Sequence, residues 1–250
     1  MKDINYSTAC FSELTKGFPS VDPDAWCEEL REMHYRLYNR YAFHINRPFS
    51  FEKKYKLSFW DGRYFYLSEN NGVNRYGSDT MNSSYLHYKA FENIRLEMKE
   101  CGRNPIEETA KLRKNFIYRP GNFIIFPKKD SINVERGRNG KIKDRFDLTL
   151  ECIKKQYEKE DNPLAYVLQK NWDDFFCRFR DFNEYVHFFM LEDYLDEKGN
   201  VMRFIDNEDH ILPQNLGEYD EYIKHISSVI EKRTARILNR LTENAIQTTC

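Results

Sequence analysis

Glycine and proline are scarce, with ten and eight residues among 250, where average composition gives roughly 30 together. That leaves little chain for linkers or low-complexity disorder, and no internal repeat is present. No run of 18 apolar residues exists, which excludes a membrane-spanning helix of the usual kind. No basic segment followed by an apolar stretch opens the chain, so no signal peptide is predicted. Net charge is only −1. A global electrostatic attraction to nucleic acid or to an anionic membrane is therefore not expected. The six cysteines, Cys10, Cys27, Cys101, Cys152, Cys177 and Cys250, form no CxxC, so reduced thiols in a cytoplasmic chain are predicted. His34, His44, His87, His187, His210 and His225 make no HExxH or HxH pattern, so neither a metal site nor a cofactor is predicted. GxxxxGK(S/T) and GxSxG are also missing, which removes the usual nucleotide and hydrolase signatures.

What the chain does have is aromatic bulk. Phe numbers 19 and Tyr 17, aromatics make up 16% of residues, and 32% are charged. Mean hydropathy is −0.80. So many rings argue for a packed globule carrying a charged surface, not for disorder.

Asp22-Pro23-Asp24 starts a helix that continues through Trp26, Leu30, Met33 and Leu37. Phe49–Phe59 and Arg63–Leu67 read as strands joined at Asp61-Gly62, a hairpin signal. Asn70–Ser84 is polar and turn-rich and reads as a loop. Tyr85–Glu100 is predicted helical up to Cys101-Gly102, and Pro105 opens another helix to about Lys114. Asn122–Phe126 is a strand, and Ile132–Val134 a further candidate. From about Lys141 the chain turns helical, with Ile142, Phe146, Leu150, Ile153 and Tyr157 on one stripe. Trp172, Phe175, Phe176 and Phe179 also recur at helical spacing. Phe182–Leu195 is apolar nearly all round and is predicted to be a core helix, with His187 a hydrogen-bonded core histidine. The last helix spans about Gly217–Glu243. Strands concentrate before residue 135 and helices after it. The expectation is a helix-rich α+β protein whose small antiparallel sheet, in the N-terminal half, packs against a helical layer. One domain over 1–250 is expected, with a sheet-containing half at 22–135 and a helical half at 141–243.

The segment most suggestive of chemistry runs from Lys128 to Arg145. Seven Lys or Arg face three acids there, a net +4. It leads into a predicted helix N-terminus, an arrangement able to hold phosphate or another anion. Arg136, Gly137 and Arg138 form the candidate cradle. Asp144, Arg145, Asp147 and Glu151 follow, and three of these acids share one predicted helix face, where carboxylates can do acid–base work. Two readings stay open: a ligand site, or arginines paired with nearby carboxylates inside the fold. Arg233, Arg236 and Arg240 make a second basic stripe, near a helix C-terminus.

The order GNFIIFP, IN-x-x-RG, DRFDLTLECI and W-x-DFF-x-x-FRDFNEYVHFFMLED resembles an uncharacterised family of bacterial proteins over roughly residues 20–205. Lys128, Glu135-Arg136 and Asn183-Glu184 depart from its pattern. Asn133, Arg136, Gly137, Asp144, Arg145, Asp147, Glu151, Asp181 and Asp193 match its polar positions. The resemblance implies a shared unit of fold and no reaction. Function is thus open: a protein that binds a partner or ligand, or alternatively a phosphate-handling enzyme or nucleic-acid factor using Arg136–Glu151.

Overall fold

A computed structural model describes residues 5–11, 23, 27–39, 45–53, 56–57, 65–128, 131–205, 207 and 209–247. Asp22, Asp24, Trp26, Asp61 and Gly62 lie outside them. The architecture is α+β. Strands β1 (Lys56–Leu57), β2 (Phe65–Ser68), β3 (Arg75–Thr80) and β4 (Phe123–Pro127) form one antiparallel sheet in that order. Lys56 pairs with Tyr66 and Leu57 with Phe65; the predicted connection at Asp61-Gly62 lies outside the described residues. β4 is buried at every position, matching its continuous FIIFP run.

β3 runs through the segment predicted to be a loop. Its sequence, RYGSDT, is too polar to announce a central strand. Two of its polar side chains find distant partners. Ser78 Oγ and His34 Nδ1 share a hydrogen bond of 3.2 Å, and Asp79 takes an arginine at 2.5 Å. Gly77 keeps β3 clear of the Lys128 side chain, which a Cβ would meet at 2.5 Å.

Eight α-helices are seen among the described residues. Helix α1 (Glu28–Tyr38) buries Leu30, Met33 and Leu37, the predicted stripe. Helix α2 (Glu92–Glu100) follows a 3-10 turn at Lys89–Phe91, so its start is later than predicted. It stops before Gly102, whose φ of +75° suits glycine. Helix α3 (Pro105–Leu112) is capped by Asn104, whose side chain accepts from the Ile106 N–H at 3.1 Å. It widens into a π turn at Arg113–Ile117. Helix α4 (Ile132–Arg138) replaces the strand predicted at Ile132–Val134. Helix α5 (Phe146–Tyr157) begins five residues later than predicted, because Lys143 and Asp144 adopt left-handed backbone. Helices α6 (Ala165–Lys170), α7 (Phe182–Phe189) and α8 (Leu216–Gln247) complete the set. The Trp172–Phe179 segment holds only a 3-10 turn, although Phe175, Phe176 and Phe179 are buried. α7 ends early at Met190, with φ +56°. His187 is not a core residue. It is exposed and its Nδ1 lies 3.0 Å from Glu192.

The long α8 crosses the turn before β4 so closely that a Cβ on Gly121 would lie 2.1 Å from the Ile230 carbonyl. The Gly121 N–H donates to Thr234 Oγ1 at 3.0 Å. Arg233, from the predicted basic stripe, points inward and donates to the carbonyls of Gly121, Phe123 and Phe189. Arg236 pairs with Asp193 at 2.8 Å, and Arg240 donates to the Phe188 carbonyl at 2.6 Å. Arg178 joins Glu69 at 2.7 Å and lies over the Phe49 ring. Such buried guanidiniums hold backbone carbonyls and carboxylates that water cannot reach.

Cys10, Cys27, Cys101, Cys152 and Cys177 are free thiols. Burial pushes the thiols of Cys27 and Cys152 up to about 12, whereas Cys101 is exposed. Reactivity follows the thiolate. Alkylation of the native protein, mapped by mass spectrometry, is therefore expected to label Cys101 first and Cys27 and Cys152 only on unfolding. Denatured, unreduced protein should show six thiols. Labelling of Cys27 as fast as Cys101, or a total of four thiols, contradicts this.

Candidate functional site

The basic segment splits in two. Its central arginines turn inward. Arg136 uses all five guanidinium N–H groups: Nε donates to Thr149 Oγ1 at 3.1 Å, Nη1 to Asp79 at 2.5 Å and the Thr80 carbonyl at 3.0 Å, Nη2 to the carbonyls of Met81 at 2.6 Å and Asp144 at 3.0 Å. Arg145 forks onto both oxygens of Asp147 and also reaches the Ile211 carbonyl at 2.7 Å. Asp147 accepts the Phe204 N–H as well, at 2.9 Å. Arg136, Arg145 and Asp147 are almost wholly buried. Their donors and acceptors are taken up inside the fold, which leaves no open guanidinium fork for an anion. Glu151 lies toward the surface, paired with Arg203 at 3.0 Å and Lys155 at 3.1 Å. Arg138 is exposed. Asp144 precedes α5, so it does not share a helix face with Asp147 and Glu151.

Gly137 and Asp144 behave differently: they stand on the wall of a cleft. Its polar recess, about 200 Å³, is lined by Asp79, Thr80, Ser83, Ser84, His87, Tyr88, Arg113, Ile117, Tyr118 and Asp144. A more apolar recess, about 270 Å³, includes Tyr85, Phe91 and Leu212. Tyr88 and Asp144 line both.

Three chain segments build the cleft. The first leaves β3 at Thr80 and returns at Tyr88. Tyr85 (φ +56°) bends it, stacks on Phe91 with ring centroids 5.4 Å apart, and donates to the Lys143 carbonyl at 2.9 Å. Arg95 holds its far end through the carbonyls of Leu86 at 2.6 Å and Tyr88 at 2.8 Å. The second is the π turn after α3, which carries Arg113 and Ile117. Single π turns occur disproportionately at functional sites. The third is the reversal between α4 and α5. Asn139 nucleates it by accepting the Lys141 N–H at 2.9 Å through its side chain. Lys143 (φ +50°) and Asp144 (φ +61°) complete it in left-handed backbone. Each such non-glycine residue costs about 1–2 kcal/mol. Of five among the described residues, three line this cleft. The surrounding bonds, from Tyr85 and Arg136, hold that strain in place.

Electrostatics converge on His87. Partial withdrawal from water, and then the Arg113 guanidinium, hold its imidazole below the ordinary histidine value, while Asp144 pulls the other way. At neutral pH the ring is uncharged and can accept or donate a hydrogen bond. Arg113 and Asp144 are both half-buried. Among the described residues, neither side chain makes a hydrogen bond or an ion pair. No three His, Cys, Asp or Glu side chains among the described residues are grouped as a metal would require.

Sequence spacing links none of residues 79–88, 113–118 and 137–144. His87 was one histidine among six, and Arg113 one cation among 39. Only the tertiary fold makes them neighbours.

A family model matches residues 3–237, which include every residue of the cleft. The chain belongs to a family of unknown function, DUF6994. No curated protein and no solved structure matches it significantly. Membership thus carries no reaction to the DUF6994 chain, and any functional reading rests on the cleft itself. No helix among its described residues is long and apolar enough to cross a membrane.

Proposed function

We propose that this DUF6994 protein binds a small polar molecule in the cleft between Asp79–Tyr88, Arg113–Tyr118 and the Gly137–Asp144 turn. One observation carries the reading. Arg113 and Asp144, opposite charges partly withdrawn from water, line one recess without a bonded partner among the described residues. By contrast, the buried guanidiniums of Arg136 and Arg233 are taken up by carbonyls inside the fold. Water meets a partly exposed charge while the recess is empty, and the opposite charge of a ligand can take that water's place. Gly137 and Asp144, two of the residues singled out in the sequence, line this proposed cleft. Arg136, Arg145 and Asp147 support the wall from behind. Phosphate handling through Arg136 and Arg145 gains no support from this geometry. The unpaired cysteines suit a cytoplasmic, reducing setting, and the cleft's use of residues 79–212 suits a chain acting as one unit.

Proton NMR of the His87 ring tests the site. Its titration midpoint is expected below 6.5, the ordinary value. Arg113→Ala should raise the midpoint by removing a repelling cation, and Asp144→Asn should lower it by removing an attracting anion. Because the folded value is depressed, protonation of His87 costs stability as pH falls through 6.5 and below. Midpoints unmoved by either change contradict the arrangement.

A further inference from the structure

We infer that the ligand is a zwitterion of the α-amino-acid type, with an apolar or aromatic side chain; this rests on the cleft being a binding site. The argument begins with charge balance. In the polar recess, the charge of Asp79 is already met by Arg136 behind it. Of the other side chains that line it, Arg113 and Asp144 carry charge, one cation and one anion, with Arg136 behind the wall also attracting Asp144. Complementary binding therefore calls for one negative and one positive group on the ligand, with no net charge. A phosphate dianion would gain one guanidinium but also face the Asp144 carboxylate.

Placement of the groups follows from the walls. Arg113 lines only the polar recess, whose Ser83 and Ser84 hydroxyls add donors suited to a carboxylate. Asp144 lines both recesses, so an ammonium group beside it would lie between the carboxylate and the side chain of the ligand. Beyond Asp144 lie Tyr85, Phe91 and Leu212, an apolar chamber for a side chain. Lys89 and Lys143 at its rim are exposed, so their alkyl stems can cover an apolar group while the ammonium ends stay in water.

The test is calorimetry on the full chain, paired with the His87 NMR signal. The probes are L-phenylalanine, L-leucine, 3-phenylpropionate, 2-phenylethylamine and inorganic phosphate. L-Phenylalanine or L-leucine should bind and shift His87, while each singly charged analogue and phosphate should bind at least tenfold more weakly. Asp144→Asn should weaken amino-acid binding tenfold or more yet leave 3-phenylpropionate binding as tightly or more tightly, because the carboxylate that repels it is gone. Asn also tolerates left-handed backbone, so the turn survives the change. Arg113→Gln should do the converse, sparing 2-phenylethylamine. If phosphate, the acid or the amine binds as tightly as the amino acids and shifts His87, the ligand class is wrong and the cleft remains a site. If amino-acid binding ignores both substitutions, the binding lies elsewhere and the inference fails. If no probe shifts His87, the inference and the cleft reading fall together.

Discussion

Arg136→Ala is expected to destabilise the protein by about 3–5 kcal/mol, the usual cost of breaking a buried ion pair from one side. Arg138→Ala, two residues away and exposed, should stay within about 0.5 kcal/mol. The contrast follows from where the two guanidiniums lie. Arg136 ties β3 to α4 and α5: Asp79 and the Thr80 carbonyl belong to the strand, Thr149 to the later helix, and the Asp144 carbonyl to the turn between helices. Truncation strands five acceptors at once, and Asp79 loses the guanidinium that meets its charge. Arg136→Lys should recover only part of the loss, since an ammonium has three donors and no planar fork. Adding Asp79→Asn to Arg136→Ala should cost less than the sum of the separate losses, because the stranded charge is gone. Urea midpoints of these five variants check the case. A loss below about 1 kcal/mol for Arg136→Ala would falsify the structural role and return the residue to the surface.

The same residue shows what a linear reading can and cannot see. A net +4 segment reads as a solvated patch because charge is visible in sequence and direction is not. Asp79, the carboxylate that turns Arg136 inward, lies 57 residues upstream on a strand too polar to be recognised. By contrast Asp147, the partner of Arg145, is two residues away, so that pair was legible in principle. Local signals performed well where chemistry is local. The apolar stripe of α1, the Asn104-Pro105 start of α3, the apolar run of β4 and the long amphipathic α8 all match their elements. They failed where tertiary partners override pattern. β3 depends on His34 and Arg136 for its polar groups. Lys143 and Asp144 adopt a backbone more typical of glycine; aspartate tolerates it, but nothing in the identity of Lys143 announces it. His187 sits among apolar neighbours in sequence, yet it occupies the solvent face of α7 beside Glu192. The cleft was the least legible feature, since its walls come from three segments that share no motif.

Phe189→Ala carries the other large expected effect, about 3–5 kcal/mol. The ring is fully buried at the junction of α1, α7 and the aromatic turn at Phe175–Phe179. Its centroid lies 4.9 Å from both Tyr185 and Phe188, 5.2 Å from Tyr38, 5.6 Å from Phe179 and 5.9 Å from Phe175. Removing it deletes transfer energy and five ring contacts together. The cavity left behind cannot easily collapse. The Phe189 carbonyl is held by Arg233 Nε at 3.0 Å, and the next residue, Met190, locks the helix end in left-handed backbone. The backbone therefore stays where it is while the side chain is lost, and the surrounding rings face a void. An apolar void of that kind stays dry and can take up a small hydrocarbon. Benzene is accordingly expected to raise the melting temperature of Phe189→Ala and to leave the parent unchanged, by selective binding to the folded variant. Tyr166→Ala, at a ring that is 73% exposed, should stay within about 0.5 kcal/mol in the same assay. A Phe189→Ala loss no larger than that of Tyr166→Ala would remove this aromatic cluster from the centre of the core.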